Sequence, residues 1–107
     1  MAAHPLFDEH VVACFPRFSD ALIAATPDGV SAVDAVVKPG DTAAVEVTFP
    51  DSPAPASWRT PESVLAAARE FVAAWLATGH AMPAFQFFHR RDECGEWSVT
   101  SSLMTEW

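Results

Sequence analysis

The stretch AFQFFHRRDECGEWSVTSSLM, residues 84–104, decides how the chain folds. AFQFFHRR is dense in aromatic residues, and in EWSVTSSLM the residues Trp97, Val99 and Leu103 alternate with Glu96, Ser98, Thr100 and Ser102. That is the two-residue period of a strand with one buried face. DECG between them supplies turn residues, so residues about 84 to 104 read as a hairpin.

Immediately upstream, TPESVLAAAREFVAAWLATG predicts a helix over about 61–78. Thr60 is placed to cap it, Pro61 to occupy the first helical position, Glu62 to favour the positive end and Gly79 to stop it. Val64, Ala68, Phe71, Val72, Trp75 and Leu76 form an apolar stripe at three- and four-residue spacing. A proline-rich connection, 50–60, precedes the helix; its Trp58 is expected either to pack back on the domain or to anchor a partner.

The first half repeats the order. Pro5, Asp8 and Glu9 open a predicted helix over about 5–25, with Phe7, Val11, Cys14, Phe18, Leu22 and Ala25 keeping its period. Pro16 removes a hydrogen bond and crowds the preceding turn, so a kinked helix or two short helices are expected. A hairpin follows over about 30–49: Lys38–Asp41 gives the turn, and Ala43, Val45, Val47 and Phe49 alternate with Thr42, Ala44, Glu46 and Thr48. Leu22 and Leu76, and Gly40 and Gly95, recur at nearly one spacing, too few identities to prove duplication.

Two helix-strand-strand units predict one α+β domain over residues 1–107, a four-stranded antiparallel sheet with both helices on one face. The open face would carry Thr42, Glu46, Thr48, Gln86, Arg90, Glu96, Ser98, Thr100 and Ser102.

The chain has 107 residues, half of them hydrophobic, enough for a core without staples. Fourteen acids against six bases give a formal net charge of -8, and Lys38 is the single lysine. Nucleic-acid binding through phosphates needs a basic stripe and is disfavoured. No apolar run approaches the roughly 20 residues of a membrane helix, and the N-terminus lacks the pattern of a signal peptide, so a cytoplasmic protein is expected. Abundant alanine and the preference for arginine over lysine are a compositional pointer to a bacterial genome. Charge balance favours a basic protein partner, although acidity also serves solubility alone.

Catalytic readings fare poorly. Asp92, Glu93 and Glu96 disfavour a Cys94 thiolate. Asp8 with Glu9 and Asp92 with Glu93 are sequence neighbours that point apart, and no glycine-rich phosphate loop occurs. His10 and Cys14, four apart on one helical face, with His89 and Cys94 near the second turn, form a sufficient ligand set for tetrahedral zinc. The spacing contains no CxxC or HxxH pair, and Cys14 lies on the apolar stripe, where cysteine serves as a small hydrophobe. No metal or cofactor is therefore expected; the cysteines read as free thiols, with a Cys14–Cys94 disulfide as the alternative. Arg90 and Arg91 either pair across their hairpin with Glu96 or another acid, or hold a carboxylate of a partner bidentately.

In size, charge and topology the chain is similar to small acidic bacterial α+β proteins that bind another protein, among them immunity proteins, nuclease inhibitors and secretion chaperones; no motif ties it to one of them. The expectation is a non-enzymatic binding module that docks and blocks a basic partner. Its contacts would come from Trp58, Glu46, Arg90, Arg91, Asp92, Glu93, Glu96 and Trp97. A small ligand- or metal-binding domain using the helix–sheet pocket is the alternative, and a homodimer paired through sheets or helices the third reading.

Overall fold

The computed structural model describes residues 4–27, 29–39, 44–50 and 58–104. Thr42, much of the 38–41 turn and the 50–60 connection, and the final Trp107 lie outside them. The elements are a 3₁₀ turn Pro5–Phe7, then α1 (Glu9–Ala25), β1 (Ala32–Lys38), β2 (Ala44–Thr48), α2 (Glu62–Ala77), β3 (Ala84–Arg91) and β4 (Trp97–Met104). The class is α+β, with an antiparallel sheet in the order β2-β1-β3-β4.

Local chemistry sets the ends of these elements. Pro5 opens only the 3₁₀ turn; α1 starts afresh because Asp8 Oδ1 accepts from the His10 and Val11 amides at 2.9 and 3.2 Å. Pro16 does not split α1, which runs continuously across it with the proline ring on the exposed side. Pro61, rather than Thr60, sits at the cap of α2: its extended backbone leaves no side-chain cap, and its carbonyl accepts from the Val64 and Leu65 amides. Gly79 ends that turn at φ 84° and Gly95 turns the second hairpin at φ 85°, backbone that other residues adopt only with strain.

Register sorts the strand residues into two faces. Val33 lies opposite His89, Ala35 opposite Phe87 and Val37 opposite Phe85, while His89 lies opposite Val99 and Arg91 opposite Trp97. These, with Val45 and Val47, belong to the helix-facing side. Phe18, Phe71, Phe85 and Phe87 fill the interface, with tilted and edge-on ring contacts such as Phe18–Phe87 at 4.9 Å and Phe71–Phe85 at 5.4 Å. The opposite face carries Glu46, Thr48, Gln86, Arg90, Ser98, Thr100 and Ser102, as the alternation implies. Glu96 falls in the turn instead, before β4 begins.

Two apolar positions leave the helix stripes. Phe7 is 81% exposed because the chain changes helix type at Asp8, and Leu76 is 49% exposed while Ala74 is buried in its place. The nearly constant spacing between the halves therefore does not make Leu22 and Leu76 equivalent, since Leu22 is fully buried.

Candidate functional site

β4 is an edge strand, and among the described residues no strand pairs with its outer side. Residues 98–102 are all exposed, and Trp97–Met104 contains no charge, proline or glycine. Such an edge lacks the devices by which sheets block further pairing. The Asp92 amide donates to the Glu96 carbonyl at 2.9 Å, which fixes the parity of the hairpin ladder. By that parity the backbone groups of Trp97, Val99 and Ser101 point away from β3, on the side where no described strand pairs.

Beside this edge runs a groove of about 750 Å³ between α1 and β4. Phe15, Pro16 and Ile23 form its helix wall, Trp97 and Val99 its sheet floor, and Ser19 and Asp20 supply polar atoms. Val99, on the inward face, remains 44% exposed where it lines the groove. Edge and groove share the same residues.

The sequence-derived candidates disperse over several surfaces. Trp97 lines the groove, and Arg91 shares its face at the strand end, its guanidinium lying over the Gly95 turn. Asp92 is spent locally: its carboxylate accepts from the Cys94 and Glu96 amides at 2.8 and 2.9 Å. Glu93 and Glu96 stay exposed at the hairpin tip. Arg90 pairs with Asp34 of the neighbouring hairpin at 2.6 Å and lies over the Phe88 ring, rather than reaching Glu96. Glu46 pairs with Lys38 at 3.0 Å on the same outer face. Trp58 packs back on the domain, edge-on to Phe49, with its indole N–H donated to the Ala25 carbonyl at 3.2 Å.

The zinc set of two histidines and two cysteines is not assembled. Cys14 is buried on α1 and Cys94 is exposed at the turn; both are free thiols. His89 is fully buried in the sheet, and neither ring nitrogen makes a hydrogen bond of normal geometry. Burial lowers its pKa, with the Val33 backbone and the Asp34 carboxylate pulling weakly the other way. His10 and Cys14 do meet a third ligand type that sequence spacing did not disclose, Glu70 of α2. Burial, and then the Glu70 charge, push the Cys14 thiol up.

Phe15, Asp20 and Ile23 were not among the sequence candidates. Their signal was present: Phe15 and Ile23 are large apolar residues off the main α1 stripe, which widens the apolar face beyond one packing seam. Comparison with protein families, curated proteins and solved structures finds no match to this chain. Among the described residues no helix is long and apolar enough to cross a membrane.

Proposed function

We propose that this protein is a non-enzymatic binding module that docks an extended segment of a basic partner protein along β4, in the manner of an inhibitor or immunity-type protein. The observation that carries the reading is the coincidence of an unguarded edge strand with an apolar groove beside it. A strand added to β4 satisfies the outward backbone groups and lays alternate side chains into the groove, so backbone bonds give affinity and the groove gives selectivity.

Charge supports a basic occupant. Asp20 stands in the groove, Glu93 and Glu96 lie just before β4, and the chain carries a net charge of -8. That charge also opposes pairing of two copies, although β4 itself is neutral. The helix–sheet interface is filled by aromatic rings, which disfavours a small ligand there; hollows lie at its margins.

The test is binding of synthetic strand-forming peptides in which valine alternates with lysine or with glutamate. The lysine peptide is expected to bind, with affinity falling as salt rises, and Val99→Arg and Asp20→Asn are expected to weaken it. Equal binding of both peptides, or indifference to both substitutions, contradicts the reading.

A further inference from the structure

The packing of α1 against α2 creates a second chemical centre, on the other side of α1 from the groove. His10 and Cys14 stand four residues apart on α1, so both side chains leave the same helical face. Glu70 of α2 faces them. A ring nitrogen of His10, the Cys14 sulfur and a Glu70 carboxylate oxygen all lie within 4.8 Å of one another. We propose that His10, Cys14 and Glu70 bind a divalent metal of borderline softness, with zinc the best match.

Imidazole, thiolate and carboxylate are each established zinc ligands, and a thiolate in the set selects against magnesium and calcium. Tetrahedral bonds of about 2.0–2.3 Å place ligand atoms about 3.5 Å apart. His10 and Glu70 are exposed, so their side chains can close the remaining distance while buried Cys14 stays fixed. Glu70 holds Arg17 through one oxygen, Oε1, at 2.6 Å, which leaves the other for a metal.

A hollow of about 360 Å³ lies beside two of the three, lined by His10 and Glu70 with Asp8, Ala73, Ala77 and Thr78 among others. The small side chains of α2 keep it open. It gives a path from solvent and room for a fourth ligand, which three protein ligands leave vacant. Asp8 and Glu70 give it negative charge that favours a cation. The Cys14 thiol donates to the backbone carbonyl of His10 at 3.2 Å, one turn back along α1. Binding replaces that S–H by a metal–sulfur bond and sends the proton to solvent.

Cobalt(II) titrated into untagged, chelator-stripped, reduced protein tests the site, because a thiolate ligand gives a sulfur-to-cobalt charge-transfer absorption. One equivalent of cobalt is expected to develop the band, and zinc to abolish it. His10→Ala and Glu70→Gln, both at exposed positions, are each expected to weaken binding by about tenfold or more. Cys14→Ser should remove the band, Cys94→Ser should leave it, and Arg17→Gln should tighten binding by freeing Glu70. Absence of the band, its loss in Cys94→Ser, or unchanged affinity in both His10→Ala and Glu70→Gln overturns the proposal.

Discussion

The imidazole of His89 lies in the sheet between Val33 and Val99, stacked on Phe87, and neither nitrogen makes a hydrogen bond of normal geometry. An unsatisfied buried polar group costs about 1–3 kcal/mol, and charging it costs more. Burial lowers the folded-state pKa below the ordinary value of 6.5. The unfolded chain therefore binds the proton first. The stability this group contributes is complete above about pH 6.5 and is lost as pH falls from there through the folded-state pKa. Urea denaturation should show stability falling as pH drops below about 6.5, by at most about 1.4 kcal/mol per pH unit from this residue. His89→Leu is expected to flatten that slope; an unaltered slope would assign it elsewhere. At the same scale, Phe87→Ala should cost about 3–5 kcal/mol, whereas Phe7→Ala should stay within about 0.5 kcal/mol. The apolar period makes Phe7 and Phe18 look alike, yet Phe18 is fully buried and Phe7 is not, because the Asp8 cap restarts the helix between them.

For whole elements, α1 shows how packing overrides propensity. A helix-interior proline costs about 3 kcal/mol relative to alanine, and α1 runs through Pro16 all the same because Val11, Cys14, Phe18 and Leu22 stay buried on one side. Pro16→Ala should therefore raise stability by about 2 kcal/mol after allowing for the looser unfolded chain, measured by thermal or urea melting. No change, or a loss, would mean that the helix is not strained there. The strands were legible because alternation fixes their faces: Val45, Val47, Trp97 and Val99 all turn inward as their period requires. What alternation cannot report is coverage. An inward Val99 looks like core in sequence, yet it lies 44% exposed at a groove. The partners of the arginines were hidden for a similar reason: Arg90 finds Asp34 because β3 pairs with β1, a neighbour outside its own hairpin.

For the molecule as a whole, the two helix-strand-strand units meet through their first strands, β1 and β3, and expose their second strands, β2 and β4, as the two edges. The repeated pattern implied the sheet and the helix layer, but strand order depends on which hairpins join, a long-range choice that local periodicity does not encode. The edges differ in chemistry. On β2, Glu46 is paired with Lys38, whereas β4 carries no ionisable side chain and has the groove beneath it. Docking at β4 is thus the central claim, and residue-resolved NMR during titration with the valine–lysine peptide tests it most directly. The largest amide shifts are expected at Trp97–Met104 and on the Phe15, Ser19 and Ile23 side of α1, shrinking as salt rises. Shifts concentrated on β2, or on the outer face around Gln86 and Arg90 with β4 unmoved, would contradict the account.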